Sequence, residues 1–147
     1  MTSEEPKRND TAAEMKPLFT NEINPLLTDL FYPSESDEPI ETVTCYLSQE
    51  EPLTVSHIKD WLMLPPAVYV AEMPENDFWT PVTTEQDWYG DEEKARTARF
   101  QELKKRLEDE LTGRQGFRVG EIEIDVYLLG RQADGVRAGL KTKIVQT

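Results

Sequence analysis

The pattern of residues 91 to 145 constrains the fold of this chain more than any other feature. Acidic residues at positions 91 to 93 precede an apolar stripe at helical spacing, so the sequence predicts a long helix from Asp91 that Gly113 ends. The stripe consists of Ala95, Phe100, Leu103, Leu107 and Leu111. A helix with one apolar stripe must pack it against another element, so this segment requires a folded partner.

A β-hairpin is predicted after this helix. Apolar residues at positions 122, 124, 126 and 128 alternate with Glu121, Glu123, Asp125, Tyr127 and Leu129, which is the period of a strand with one buried face. Asp134-Gly135 favours a hairpin turn, and Val136 to Val145 forms the returning strand. Because that strand runs into the end of the sequence, we expect Thr147 at a sheet edge.

Two shorter helices are predicted in the first half of the chain. Asn24 and Pro25 have the residue types of an N-cap and a first-turn proline, followed by an apolar stripe that Pro33 ends. This stripe consists of Leu26, Leu27, Leu30 and Phe31. Thr54 is the expected cap of a second helix, which carries Val55, Ile58, Trp61 and Leu62 and ends at Pro65-Pro66.

Two further strands are predicted between these helices. Ile40 to Leu47 is threonine-rich and β-branched, with Val43, Cys45 and Leu47 on one face. A second strand is expected from Ala67 to Ala71. Residues 74 to 82 contain two prolines and an asparagine, and we expect them to be mainly loop.

Length and composition indicate one domain after a tail. The 147 residues suffice for a single packed core. Residues 1–19 are polar and have few large apolar groups, so they are expected to be a disordered tail, and residues 20–147 form the domain. Helices that flank a mostly antiparallel sheet predict an α+β or layered α/β/α class.

The charge of the chain favours a cationic partner. Sixteen basic against 29 acidic residues give a formal net charge of −13, which repels nucleic-acid phosphates and argues against direct nucleic-acid binding. The alternative interpretation is that the acidity only maintains solubility.

Cysteine usage and hydropathy indicate a cytoplasmic protein. A single Cys45 makes an internal disulfide impossible and is expected to be a small core residue. No stretch approaches the roughly 20 apolar residues that a membrane span requires, and the acidic start lacks the features of a secretion signal, so no membrane partner is expected.

The sequence carries few groups for chemistry of its own. His57 is the only histidine, is expected in the first turn of a helix and has no evident triad or metal set around it, and Cys45 has no nearby basic group that would lower its pKa. Abundant carboxylates leave open a metal-dependent enzyme, but in an acidic chain such clusters are expected, and Glu121, Glu123 and Asp125 fit a solvated strand face. We therefore expect no enzyme and no cofactor.

Several segments resemble the cyanobacterial nuclease A inhibitor family. They are Thr83-Thr84 with Gln86-Asp87-Trp88-Tyr89-Gly90-Asp91-Glu92-Glu93, Gly120-Glu121-Ile122-Glu123-Ile124-Asp125-Val126-Tyr127, Ala138-Gly139 and Thr142-Lys143-Ile144-Val145-Gln146-Thr147. The resemblance implies a three-layer α/β/α sandwich of the pathogenesis-related-protein type. It also implies an inhibitor of a sugar-non-specific, magnesium-dependent nuclease.

The resemblance assigns roles to three parts of the chain. Ser34-Glu35-Ser36-Asp37 matches the family's inhibitory loop, so Glu35 takes the place of the scissile phosphate. Thr147 is expected to reach the catalytic magnesium of the nuclease, which is the only metal contact implied. Asp87 and Trp88 form a second contact patch, with Gln86 at its rim.

Each role has a simpler alternative. Glu35 would be an incidental acid in a solvated loop, Thr147 a frayed end, and Trp88 a lid over the helix's own apolar stripe. Asp87 would cap the helix that starts at Asp91.

These observations predict a monomeric, acidic inhibitor that blocks the active site of a non-specific nuclease in a 1:1 complex. The main alternative is a binding module that mimics nucleic acid toward another basic DNA-binding protein.

Overall fold

The structure of the protein, a computed structural model, describes residues 17–146, with side chains from Phe19 onward. This range contains four helices: α1 (Pro17–Leu27), α2 (Val55–Leu62), α3 (Glu75–Thr83) and α4 (Asp91–Glu110). It also contains seven strands: β1 (Phe31–Tyr32), β2 (Glu38–Pro39), β3 (Glu41–Cys45), β4 (Val70–Met73), β5 (Thr112–Val119), β6 (Glu123–Arg131) and β7 (Arg137–Val145). Five strands form an antiparallel sheet of order β3-β7-β6-β5-β4, and β1 pairs with β2. The predicted α+β class is confirmed.

Both faces of the five-stranded sheet carry apolar clusters. Alternate residues of β6, namely Ile124, Val126 and Leu128, belong to one cluster together with buried side chains of α1, α3 and α4. The residues between them, Tyr127 and Leu129, belong to a second cluster with residues of α2. The prediction of one buried face is therefore wrong at these two positions, because α2 covers the face that the alternation assigned to solvent.

Helix α4 is confirmed, but the start of its apolar stripe and its C-terminal end differ from the prediction. Phe100, Leu103, Leu107 and Leu111 are buried as predicted, whereas Ala95 is exposed and Thr97 is buried in the stripe instead. The helix ends at Glu110, before Gly113. Gly113 lies in β5 with φ +57°, at an irregularity in the pairing with β6, so it serves a strand irregularity and does not end the helix.

The hairpin of β6 and β7 is also confirmed. Its pairing extends from Glu123 opposite Val145 to Arg131 opposite Arg137, and Gly135 in the turn has φ +88°. A Cβ atom at Gly139 would lie 1.8 Å from the carbonyl oxygen of Leu128, so only glycine fits this strand position. Ile122 precedes β6 and is 60% exposed, so the predicted inward position of its side chain is wrong.

The sequence prediction is wrong for two helices that contain a proline. Helix α1 begins at Pro17, so residues 17 to 19 lie inside a helix where a tail was expected. Pro25 lies within this helix and not in its first turn, and Phe31 lies in β1 and not in the helix. Its buried stripe is Phe19, Ile23 and Leu27. An interior proline destabilises a helix by about 3 kcal/mol, and burial of each large apolar side chain stabilises it by about 1.5–3 kcal/mol. The three buried residues together therefore outweigh the cost of Pro25, and the helix continues through it.

Residues 74 to 82 show the same effect. They were expected to be loop, but Glu75–Thr83 is helix α3 with Pro81 inside it. Phe78, Trp79 and Val82 are buried in the first cluster. The Trp79 Nε1–H donates to Glu75 Oε2 at 2.9 Å, which satisfies the indole within the helix.

The remaining elements follow the predictions in part. Helix α2 begins after Thr54, whose side chain accepts from the His57 backbone N–H, and β3 lies within the predicted strand. Strand β4 covers Val70–Met73, three residues later than expected at its start. Strand β5 was not predicted, because its arginines, glutamine and glycines hide the apolar pair Phe117 and Val119 that it buries.

Strand β7 is an inner strand. It lies between β3 and β6, so it is not an edge strand, whereas the expected position of Thr147 at a sheet edge implied that it would be one. Pairing with β3 stops at Lys141, opposite Glu41. The last residues of β7 therefore continue past the end of β3 toward the loop of residues 34–38.

Candidate functional site

The loop of residues 34–38 and residues 143–146 meet at one end of the sheet, and we call this region the acidic corner. The side chains of Glu35 and Asp37 are exposed there, and Glu38 is half-buried and accepts a short hydrogen bond from Ser36 Oγ. Lys143 forms an ion pair with Glu123, Nζ to Oε1 at 3.2 Å, and this contact is the main cause that raises the pKa of the Lys143 ammonium. The one lysine of the corner is thus held by an acid on β6.

Ser34 joins the two parts of the acidic corner. Its hydroxyl donates to the Ser36 carbonyl oxygen at 2.7 Å, and it accepts from the Ser36 N–H at 3.2 Å and from the Val145 N–H at 3.1 Å. One donor and two acceptor positions are all that a serine hydroxyl offers, so its hydrogen-bonding capacity is used in full. The acidic loop is therefore fixed to the last residue of β7.

A second contact fastens the same region. The Thr142 hydroxyl is buried and donates to the carbonyl oxygen of Pro39 at 2.9 Å, which ties the strand to the end of the acidic loop. The Gln146 N–H donates to the Ile122 carbonyl oxygen at 2.9 Å. The backbone is thus held through residue 146, and Thr147, a predicted site residue, lies outside the described residues.

A groove of about 360 Å³ extends from the acidic corner to the start of α4. Asp37 lines it from the loop, and Glu92, Glu93 and Arg96 line it from the helix. Arg99 also lines it, and its guanidinium donates to the carbonyl oxygens of Leu26 and Thr28 at 3.1 and 2.6 Å. The corner and the first turn of α4 are therefore neighbours.

The predicted contact residues Gln86, Asp87 and Trp88 lie in the loop that leads into α4. All three are exposed, and the Trp88 side chain keeps 74% of its surface accessible. Its ring makes an edge-to-face contact with Tyr89, with centroids 4.7 Å apart. Trp88 is therefore not a lid over the helix stripe, which the first cluster buries without it.

Asp87 is not the cap of α4. Gly90 holds the N-cap position, and its N–H donates to Glu93 Oε1 at 2.9 Å. The capping alternative for Asp87 is therefore wrong. The local sequence signal for this helix start is Glu93, three residues after the cap, whose side chain accepts from the backbone of the cap residue.

His57 and Cys45 have structural surroundings. His57 Nδ1 accepts from the Thr54 N–H at 3.0 Å, so the histidine completes the cap of α2 in the predicted first turn. Cys45 is buried, and burial raises the pKa of its thiol. Arg137 lies opposite it on β7 and acts to lower that pKa, so the expectation of no nearby basic group is wrong, although burial outweighs the arginine.

Residues 17–146 contain no group of three or more histidine, cysteine, aspartate or glutamate side chains that could hold a metal ion. No helix in this range is long and apolar enough to cross a membrane.

Ser34 and Thr142 are the residues whose roles the sequence analysis missed. The spacing of Ser34 and Ser36 is typical of a hydroxyl that hydrogen-bonds to the backbone two residues further on. The contact inside the loop could therefore have been predicted from the sequence. The contact to Val145 spans 111 positions and has no local signal.

Comparison with known proteins identifies the chain. No curated protein sequence matches it. The family model for nuclease A inhibitor-like protein matches residues 18–147, which is nearly the whole chain and includes the acidic corner and the Trp88 loop. The chain therefore belongs to the nuclease A inhibitor-like protein family.

Proposed function

We propose that this protein occupies the active site of a non-specific, magnesium-dependent nuclease and blocks it without catalysis of its own. Membership of the family implies a nuclease inhibitor role in general. The way in which the chain blocks its target, and the residues that do so, are the further content of the proposal.

Charge explains why such a protein would enter a nuclease cleft. A non-specific nuclease attracts a polyanion with a basic cleft, and a chain of net charge −13 is drawn to the same field. Carboxylates placed like phosphates collect the same charge-assisted hydrogen bonds, yet they offer no phosphodiester to cut. Glu35 is the carboxylate that we assign to the position of the scissile phosphate.

The hydrogen bond from the Val145 N–H to Ser34 Oγ is the observation that carries the proposal. A single active site can receive Glu35 and the end of the chain together only if the two lie side by side. The 3.1 Å contact holds the loop against the strand that leads to Thr147. Contacts already made before binding lower the entropy that a complex must lose, so this corner is suited to act as one rigid ligand.

Thr147 is assigned to the magnesium ion of the nuclease. Hydroxyl and carboxylate oxygens are hard ligands of the kind that magnesium prefers. The residue before it is fastened by the hydrogen bond from the Gln146 N–H to the Ile122 carbonyl oxygen. The protein needs no cofactor in this scheme, because the metal belongs to its partner.

The loop of residues 86–88 is assigned to a second contact patch. A tryptophan with 74% of its surface exposed gains apolar burial when a partner covers it, and tryptophan is enriched among residues that dominate binding energy. Gln86 and Asp87 would surround it as polar contacts. The groove from Asp37 to Glu92 joins this loop's end to the acidic corner, which supports one continuous binding surface.

The finer description of the fold and complex belongs to the same proposal. Apolar clusters on both sheet faces support a three-layer α/β/α sandwich, and the likeness to pathogenesis-related proteins is inferred from the family. We propose a monomer in a 1:1 complex with the nuclease, in the cytoplasm, with residues 20–147 as the inhibitory domain.

The test combines a digestion assay with two variants. The target is recovered by pull-down from native extract, and DNA digestion is followed at increasing inhibitor ratios. Wild type should suppress digestion near equimolar ratio, and added magnesium should not restore it. Glu35→Lys and deletion of Thr147 should each weaken inhibition by at least about tenfold without loss of folding, because each removes a charged or metal contact.

Glu108→Lys is the matched control. Glu108 is exposed in the last turn of α4 and undergoes the same change of charge, so it separates local contact from net charge. Equal loss in Glu35→Lys and Glu108→Lys would contradict the assigned site. Capture of a basic DNA-binding protein without nuclease activity would instead support the nucleic-acid-mimic alternative.

A further inference from the structure

A basic cavity lies at the end of the sheet opposite the acidic corner. Strands β6 and β7 run from the pair Glu123 and Val145 at the corner to the pair Arg131 and Arg137 at the hairpin end. A cavity of about 330 Å³ opens there, and its charged lining consists of Arg114, Arg131, Arg137, Glu50 and Glu72. Three arginines at one cavity are unexpected in a chain with 16 basic and 29 acidic residues.

Arg137 is buried and, within the described range, forms no hydrogen bond to a carboxylate. It is 3% exposed, and its guanidinium donates to the carbonyl oxygens of Leu47, Gln49 and Glu51 at 3.1, 2.8 and 3.0 Å. These acceptors are neutral, so they satisfy N–H groups and leave the charge in place. Burial lowers the pKa of Arg137 and the nearby Arg131 adds to that effect, whereas Cys45 and Glu51 act in the opposite direction.

Arg131 is the second arginine of the cavity that has no carboxylate partner among the described residues. It lies directly opposite Arg137 across the hairpin, where like charges repel. Its Nε is buried and has no hydrogen-bond acceptor among the described residues. Arg131 also forms no ion pair among the described residues, so a ligand in the cavity would give its guanidinium the acceptors that the protein does not supply.

Arg114 completes the positive wall without competing for the same role. Its Nε is paired with Glu75 Oε2 at 2.9 Å, and its Nη1 donates to the Leu111 carbonyl oxygen. Among the described residues, Arg131 is therefore the arginine of this cavity whose guanidinium has neither a hydrogen-bond acceptor nor an ion-pair partner.

We propose that this cavity binds the phosphate group of a small phosphomonoester, with the guanidinium of Arg131 as the direct donor and Arg137 as a second, buried cation beside it. Guanidinium groups fit tetrahedral oxyanions through several charge-assisted hydrogen bonds. A volume of about 330 Å³ is at the lower end for small-molecule sites. Glu50 and Glu72 at the same cavity repel a longer polyanion and accept hydrogen bonds from hydroxyl or amino groups of a small ligand.

Titration with inorganic phosphate tests the site, against sodium chloride at equal ionic strength. The Nε–H resonance of Arg131 should shift saturably with phosphate, and the melting temperature should rise. A second arm uses a 5′-mononucleotide. Tighter binding than inorganic phosphate supports a phosphomonoester ligand, and equal or weaker binding overturns that class.

Two arginine variants provide the comparison. Arg131→Gln should weaken phosphate binding about tenfold or more, the loss expected for a charge-assisted hydrogen bond. Arg118→Gln is the matched control, since Arg118 Nε is also buried without an acceptor in the described range but does not line this cavity.

Three outcomes would overturn the site. They are an Arg131 resonance that responds equally to chloride, equal phosphate affinity in Arg131→Gln and wild type, or equal losses in both variants. The resonance shift in wild type does not depend on whether a variant folds. Because the cavity lies at the far end from the acidic corner, nuclease inhibition is measured separately and should be unchanged in Arg131→Gln.

Discussion

Replacement of Ser34 by alanine tests whether the acidic loop and the terminal strand act as one unit. The Ser34 hydroxyl makes three hydrogen bonds, one as donor and two as acceptor, and two of these stay within the loop. Alanine leaves the N–H groups of Ser36 and Val145 without their acceptor. The expected structural result is a looser contact between the loop and Val145, while the hydrogen bond from Thr142 to Pro39 remains.

The magnitude follows from the number of bonds and their exposure. Each hydrogen bond contributes about 1 kcal/mol net, and the site is half-buried, so water replaces part of the loss. We expect the free energy of unfolding to fall by about 1–2 kcal/mol, or roughly 3–8 °C in Tm. The inhibition constant should rise about tenfold, because the binding surface must be re-ordered at the moment of contact.

The assay measures inhibition and stability on the same samples. DNA digestion is followed well below the Tm of the variant, so that unfolding does not contribute. Asp134→Ala is the matched control: Asp134 Oδ1 accepts from the Val136 N–H two residues on, as Ser34 does from Ser36, but at the opposite hairpin end. It should lower stability and leave the inhibition constant within about twofold.

A double-mutant cycle with Glu35→Gln distinguishes positioning from general destabilisation. If Ser34 acts by positioning Glu35, the combined loss of binding free energy should be smaller than the sum of the single losses by at least about 0.5 kcal/mol. An inhibition constant that Ser34→Ala leaves unchanged, despite lower stability, would refute the reasoning. Strict additivity in the cycle would refute the positioning role.

Two other predictions concern aromatic residues. Trp88→Ala should weaken nuclease binding by about 2 kcal/mol or more and change the Tm little, because the ring is mostly exposed. Trp79→Ala should instead unfold the protein or strongly destabilise it, because this ring is buried. Calorimetry and inhibition assays measure both effects, and an equal loss of stability in the two variants would contradict the prediction. Burial and, as a smaller cause, the charge of Asp77 raise the pKa of Tyr32 to about 12. As the pH rises, this phenol therefore ionises first in the unfolded chain, near pH 10. Stability from this group is therefore full below pH 10 and lost between pH 10 and about 12, and Tyr32→Phe should flatten that loss in urea unfolding. The slope does not vanish, since burial also raises the pKa of Tyr127 to about 12, and an unchanged slope in Tyr32→Phe would count against the shift.

Local sequence determined the elements whose signals agree with one another. Helix α4 has acids in its first turn and a stripe of large apolar residues, and the hairpin has alternation with Asp134-Gly135 between its strands. Thr54 likewise marked the start of α2. Each signal spans a few neighbouring positions, so no tertiary information was needed.

Tertiary burial decided the elements in which local signals conflict. Pro25 and Pro81 argued against the helices that contain them, and burial of Ile23 and Trp79 in the first cluster outweighs the lost backbone hydrogen bonds. Strand β5 was hidden for a related reason, because pairing with its neighbours supports a segment of low strand propensity.

The candidate site divides in the same way. The residue types of the acidic loop, the position of Trp88 in a polar loop and the terminal strand could be recognised along the chain, as could the family to which they belong. The contact between Ser34 and Val145 could not, since it joins positions 111 apart. Composition thus determined which side chains are available, and the packing of β7 between β3 and β6 decided which of them meet, because only the folded sheet brings such distant segments within hydrogen-bond distance.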